Sequence, residues 1–85
     1  METKEVFEPK IRGKFLIIPS HKLTIDADSI FSLRANTDYS WSGDRVWYSV
    51  IIKDRSGADH SLSFNSEEAR DKAFNILTDL LVTGY

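Results

Sequence analysis

A change of hydrophobic period close to residue 65 divides this chain of 85 residues into two parts of different secondary structure. Before it, apolar and polar residues alternate in short runs, which is typical of half-buried β-strands. After it, apolar residues recur at steps of three and four, which predicts an amphipathic helix over residues 65–84. The apolar stripe of that helix contains Ala69, Ala73, Phe74, Ile76, Leu77, Leu80 and Leu81.

Both ends of the predicted helix carry local signals. Asn65 is expected to be the N-cap, with Glu68 completing an Asn-x-x-Glu capping box. Gly84 is expected to end the helix as its C′ residue. The solvent-facing side is expected to contain Arg70, Asp71, Lys72, Asn75 and Asp79.

The strands are expected within residues 14–64, where alternating segments are separated by turn-forming residues. Residues 45–53 and 60–64 flank a loop containing Gly57, which predicts a hairpin. Residues 14–18 and 23–26 predict earlier strands. Residues 30–35 predict a further strand, with a helical turn capped by Asp28 as the alternative.

These segments predict a single α+β domain over residues 1–85. Its sheet is an antiparallel meander of four to five strands, with the C-terminal amphipathic helix packed on one face. Residues 1–12 form a polar lead-in, residues 14–64 the antiparallel sheet, and residues 65–84 the helix.

One helix covers only one face of such a sheet, so some apolar residues lack an obvious partner. We expect the helix-facing side to contain Phe15, Ile17, Leu33, Val50, Ile52, Leu62 and Phe64. The other face then contains Leu16, Ile18, Ile30, Trp47 and Ile51. Sheet curvature, the N-terminal segment or another chain must cover these side chains, which motivates the hypothesis of a homodimer.

Composition excludes several classes of protein. The chain has no cysteine, which excludes disulfides and thiolate metal sites and fits a reducing compartment. Its longest apolar run, residues 15–18, is far shorter than the ~20 residues that span a bilayer. The first residues are charged and lack an apolar h-region, so we expect no signal peptide. The net charge of −2 gives no reason to expect nucleic acid, and we expect a cytoplasmic protein without membrane association.

No pattern of catalytic or metal-ligating residues is found in the sequence. His21 and His60 are the only histidines and have no further ligands at zinc-site spacing. Asp26 and Asp28 begin like a calcium loop, but Ile30 stands where the third oxygen ligand is needed. The Gly13–Lys14 pair lacks the rest of a phosphate-binding loop, and no serine lies in a nucleophile elbow. We therefore expect no catalytic residue, no metal and no cofactor, and a protein that is not an enzyme.

Aromatic residues cluster around a polar, turn-rich segment at residues 36–44. Tyr39, Trp41, Trp47 and Tyr48 lie within ten residues of one another, with Arg34 and Arg45 close to them in the sequence. Aromatic side chains with arginine are typical of interaction hot spots and of surfaces on which bases stack. In the alternative interpretation, Trp47 and Tyr48 pack within the fold and only Tyr39 and Trp41 are exposed. The candidate interaction residues are Tyr39, Trp41, Arg45, Trp47 and Arg34.

These observations predict a non-enzymatic protein-interaction module that binds a protein partner or itself through the uncovered sheet face. The alternative is a small-ligand or nucleotide-binding protein that uses the aromatic and arginine side chains of residues 36–48.

The hairpin of residues 46–64 followed directly by the helix of residues 66–82 resembles the closing half of a pleckstrin-homology-like domain. The resemblance covers about half of the chain and implies a β-rich fold closed by a C-terminal helix. Residues 19–22 carry less positive charge than the loop that binds phosphoinositides in that family, so the resemblance does not extend to lipid binding. The chain is also similar in general character to many small proteins of bacteria and their phages.

Overall fold

The computed structural model describes residues 7–83, which form two three-stranded antiparallel sheets and one helix. Sheet A has the strand order β1-β2-β3, and sheet B has the order β4-β5-β6. The predicted α+β class is confirmed, with the strands divided between two sheets instead of one meander. The elements are β1 (Lys10–Arg12), β2 (Phe15–Ile18), β3 (Leu23–Asp26), β4 (Ile30–Tyr39), β5 (Val46–Asp54), β6 (Asp59–Phe64) and α1 (Glu67–Thr83).

Sheet A begins inside the segment predicted to be a polar lead-in. Strand β1 pairs with β2, and Gly13 turns the chain between them with φ of 61°, a backbone conformation that suits glycine. A 3₁₀ turn at Pro19–His21 then leads into β3, which pairs with the other side of β2.

A second 3₁₀ turn, Ala27–Ser29, connects sheet A to sheet B. The Asp26 carboxylate caps it by accepting a hydrogen bond of 2.9 Å from the Asp28 backbone N–H. The expected strand at residues 30–35 is confirmed as part of β4. A helical turn lies just before this strand, and its cap is Asp26 instead of Asp28. Strand β4 continues to Tyr39, so residues 36–39 of the predicted loop are strand, because they pair with β5.

Both sheets and the helix contribute to one core. Its buried members are Leu16, Ile18, Ile25, Val50, Ile52, Leu62 and Leu77. The inward face predicted for β2 is wrong: Leu16 and Ile18 are fully buried, whereas Phe15 is 44% exposed. Both faces of β2 are apolar, so the alternation of residue types does not determine which face turns inward.

This arrangement changes the basis of the homodimer hypothesis. Leu16 and Ile18 lie in the core and Ile30 packs against it, so these three side chains need no second chain to cover them. Both sheets pack with α1 into this one core. Trp47 and Ile51 remain on the outer face of sheet B, where Trp47 is 48% exposed.

Helix α1 begins at Glu67, one residue after Ser66. The Ser66 hydroxyl accepts a hydrogen bond of 3.1 Å from the Ala69 backbone N–H, which makes Ser66 the N-cap instead of Asn65. The predicted role of Gly84 lies outside the described residues. Within those residues, no helix has the length and apolar character needed to cross a membrane.

Candidate functional site: an exposed hairpin arm

Strands β4 and β5 extend beyond the rest of sheet B and form a two-stranded arm, defined here as residues 38–47. Strand β6 makes its last pair with β5 between Phe64 and Tyr48. Beyond that point Asp38 pairs with Trp47 and Tyr39 pairs with Val46, with no third strand of the described chain beside them. Every residue of the arm is exposed except Ser40, which is half-buried, so both faces of the ribbon contact solvent.

Hydrogen bonds within the loop order the tip of the arm, residues 40–45. The Ser40 N–H donates to the Arg45 carbonyl and the Gly43 N–H donates to the Ser40 carbonyl, both at 2.9 Å. The Ser40 hydroxyl also accepts a hydrogen bond of 3.1 Å from the Arg45 N–H. Gly43 has φ of 80°, which a residue with a side chain rarely adopts.

Asp44 organises the side chains of this tip. Its carboxylate accepts hydrogen bonds from the Ser42 hydroxyl and, at 3.0 Å, from the Ser40 hydroxyl. The hydrogen bond from Ser42, together with that from Ser40, lowers the pKa of the Asp44 carboxyl below its ordinary value. By accepting from both hydroxyls, the carboxylate links Ser40 and Ser42 across the tip.

Large apolar side chains on the arm are exposed. Trp41 at the tip is fully exposed (103%), and Tyr39 is 68% exposed. Tyr39 and its cross-strand neighbour Val46 share one face of the ribbon, while Trp47 lies on the opposite face. An aromatic side chain with this exposure contributes little to the core and is available for contact.

The structure brings four of the five predicted site residues together. Tyr39, Trp41, Arg45 and Trp47 all lie on the arm. Arg34 lies further along β4, on the outer face of sheet B opposite Ile51. Tyr48, the other aromatic residue of the cluster, lies at the base of the arm and is half-buried.

Arg70 of α1 holds the base of the arm, and the predicted position of this residue on the solvent-facing side of the helix is wrong. Its side chain is buried, and one terminal nitrogen donates hydrogen bonds to the Asn36 carbonyl at 2.6 Å and to the Thr37 hydroxyl at 3.2 Å. Helical spacing indicates the buried position, because Arg70 lies three residues before Ala73 and seven before Leu77, on the same buried stripe.

Both histidines have structural partners. The His21 Nε2 atom lies 2.9 Å from the Ser63 carbonyl oxygen, and its ring contacts Phe64 with centroids 5.0 Å apart. His60 pairs with Asp54 at 3.3 Å. Between residues 7 and 83, no three or more histidine, aspartate or glutamate side chains lie close enough together to hold a metal ion.

A cavity of about 240 Å³ lies away from the arm. It is lined by Ala27, Asp28, Ile30, Arg55 and Leu81. The Arg55 side chain already makes one hydrogen bond there, because its Nε–H donates to the Asp28 carbonyl at 3.0 Å. The volume is below the ~300–1,000 Å³ of typical small-molecule sites.

Comparisons with protein-family models, with curated proteins and with solved structures find no match to this chain. The resemblance to a pleckstrin-homology-like domain stays a prediction.

Proposed function

We propose that this chain is a non-enzymatic, cytoplasmic protein-interaction module whose contact site is the arm. The observation that supports it most directly is the full exposure of Trp41 at the tip of an ordered hairpin. Tryptophan is among the residues that contribute most to binding energy when it enters a pocket on a partner. An exposed indole gives the isolated chain no packing energy, which favours a role in contact.

The order of the tip supports this function. A flexible loop loses conformational entropy when it binds, which weakens the complex. Asp44 and Ser40 already fix residues 40–45 through side-chain hydrogen bonds. Trp41 is therefore presented from a loop that has already lost much of its freedom.

The shape of the site favours a protein over a small ligand. Small-molecule sites are concave and enclose most of their ligand. Tyr39 and Trp47 instead lie on opposite faces of a protruding ribbon, so they do not enclose a base or a ring between them. A partner with an apolar groove accommodates such a ribbon more readily.

Site-specific photocrosslinking tests the proposal. A benzophenone amino acid replaces Trp41 in one variant and Phe15 in the matched control, since Phe15 is an exposed aromatic residue of sheet A. Each variant is irradiated in extracts of the source cells. We expect an adduct with a distinct protein from position 41 and none from position 15.

Competition with unlabelled chains tests whether the crosslink depends on the arm. An excess of the unlabelled native chain should abolish the adduct, and an excess of Trp41→Ala should leave it unchanged. Equal adducts from positions 15 and 41, or equal competition by the two chains, would contradict the proposal. A thermal shift with nucleotides tests the alternative, because a ligand at 100 times its Kd stabilises the fold by about 2.7 kcal/mol.

A further inference from the structure

Strand β4 leaves one long edge of sheet B open. It has ten residues and lies at the end of the strand order, whereas the edge strands of sheet A, β1 and β3, have three and four. The other edge of sheet B, β6, is capped in part by His21, which bonds the Ser63 carbonyl. Proteins usually shorten or cover such edges, because an open edge can pair with another strand.

The hydrogen-bond register shows which backbone groups face outward. Ser40 and Arg45 form a hydrogen-bonded pair, and antiparallel partners alternate between bonded and non-bonded pairs. Asp38, Asn36 and Arg34 therefore bond to β5. The alternate residues direct their N–H and C=O groups away from β5 toward the open edge; these are Leu33, Ala35, Thr37 and Tyr39.

The open edge is accessible. Ala35 and Tyr39 point to the face of sheet B that contacts α1, yet both are exposed. No other strand within residues 7–83 lies beyond β4. The helix therefore does not cover the edge at positions 35 and 39, whereas Leu33 and Thr37 are half-buried beside the core.

The charges on β4 are self-complementary. Arg34 and Asp38 are exposed, lie on the outer face of sheet B, and are equally spaced on either side of Asn36. When two copies of β4 pair antiparallel about a two-fold axis at Asn36, Arg34 of each copy lies opposite Asp38 of the other. The same register places Leu33 opposite Tyr39 and Ala35 opposite Thr37, so outward-facing backbone groups meet each other.

The alternative registers are less favourable. Centring the axis on Arg34 or on Asp38 places two like charges directly opposite each other, which destabilises the pair. Centring it on Ala35 or Thr37 leaves Arg34 and Asp38 without opposite charges across from them. A shift by one residue places an outward-facing backbone group against an inward-facing one, which the antiparallel ladder does not allow.

We propose that a second copy of this chain docks on the open edge of β4, in the register centred on Asn36. The inference rests on the proposed function as an interaction module and names the chain itself as one partner. The two sheets B join into one continuous sheet, with about eight backbone hydrogen bonds if residues 33–39 all pair. The exposed Phe31 of each copy then lies close to the turn that contains Trp41 of the other.

Charge-swap variants test both the dimer and its register. Arg34→Asp gives a chain with aspartate at both positions, and Asp38→Arg gives one with arginine at both. Each variant alone opposes like charges, so we expect its dimer dissociation constant to rise about tenfold. Mixed together, the two variants oppose unlike charges, and we expect a heterodimer with native affinity. Lys10→Asp, an exposed charge change in sheet A, should leave the dissociation constant unchanged.

A backbone substitution tests the edge itself. Proline at position 35 removes only an outward N–H, so Ala35→Pro should keep the fold and abolish the dimer. Asn36→Pro is the matched comparison, because it removes a bond to β5 and should unfold sheet B. Near-ultraviolet circular dichroism reports the fold of each variant, and sedimentation equilibrium from low micromolar to submillimolar concentration reports the mass.

Each outcome decides the inference. The apparent mass of the wild type should rise with concentration from 9.7 kDa toward twice that value. A wild type that stays monomeric overturns the inference, as does a dimer that a folded Ala35→Pro variant retains. Failure of the mixed variants to associate overturns the register. A monomer that still forms the position 41 adduct leaves the proposed function standing, whereas a β4 dimer without that adduct contradicts the arm as the contact site.

Discussion

The guanidinium carbon of Arg70 lies 5.6 Å from the centroid of the Tyr48 ring, over its face. The same guanidinium bonds the Asn36 carbonyl and the Thr37 hydroxyl, so one side chain joins α1 to both strands at the base of the arm. Its ion pairs with Glu67 and Asp71 involve carboxylates that are more than half exposed, and such pairs contribute little. The contacts with β4 and β5 are therefore what Arg70 contributes to the fold.

Replacing Arg70 should destabilise the whole domain. Arg70→Ala loses a charge-assisted hydrogen bond to Asn36 and the packing of the side-chain stem, and we expect the free energy of unfolding to fall by about 2–3 kcal/mol. Arg70→Met keeps the stem and should lose about 1–2 kcal/mol. Lys72→Ala, at an exposed position of the same helix, should change the value by less than about 0.5 kcal/mol.

Urea unfolding followed by far-ultraviolet circular dichroism measures these differences. Equal midpoints for Arg70→Ala and Lys72→Ala would show that the contacts of Arg70 with the arm do not stabilise the fold.

The cap of α1 gives a second prediction, in which adjacent residues serve as test and control. Ser66→Ala removes the hydroxyl that accepts the Ala69 N–H, and we expect a loss of about 1 kcal/mol. Asn65→Ala leaves that hydrogen bond in place and should cost much less. The thermal midpoints of the two variants provide the comparison, and a larger loss for Asn65→Ala would identify Asn65 as the N-cap.

Asp54 makes stability depend on pH in the acid range. Hydrogen bonds from the Ser56 hydroxyl, the Ala58 N–H and His60 hold the pKa of Asp54 at about 2, below its ordinary value of 3.8. Because the unfolded chain binds this proton more readily, the stabilisation is complete well above pH 3.8 and is lost as the pH falls toward 2.

As the pH falls over that acid range, the free energy of unfolding of Asp54→Asn should therefore decrease less than that of the wild type. Its urea midpoint should be lower than that of the wild type at neutral pH, and the two midpoints should converge at low pH. Asp59→Asn, an exposed substitution in the same hairpin, is the matched control. If the difference between Asp54→Asn and the wild type stays constant with pH, Asp54 does not have the lowered pKa.

The sequence predicted the parts of this fold whose pattern has one physical interpretation. In β6, Leu62 and Phe64 alternate with Ser61 and Ser63, so their inward direction follows from the pattern. In β2 both faces are apolar, and only packing between the two sheets makes Leu16 the buried residue and Phe15 the exposed one.

The polar, turn-rich composition of residues 36–44 predicts that Trp41 is exposed, and the structure shows this exposure, whereas its role in contact stays a prediction. The length of the arm was not predicted, since residues 36–39 have polar side chains and are held as strand by backbone pairing with β5. Arg70 was assigned to solvent because of its charge, although its helical phase places it with Ala73. For Arg70, helical spacing indicates the buried side of α1 correctly, whereas residue type does not.

The arm is a contact surface only if Trp41 lies outside the core and is free for contact. The direct test is the urea unfolding of Trp41→Ala, followed by far-ultraviolet circular dichroism at a concentration that keeps the chain monomeric. Because the indole is fully exposed, we expect a free energy of unfolding within about 0.5 kcal/mol of the native chain. A loss of about 3 kcal/mol or more, the size expected for a buried tryptophan, would place Trp41 in the core and contradict the arm as a contact surface.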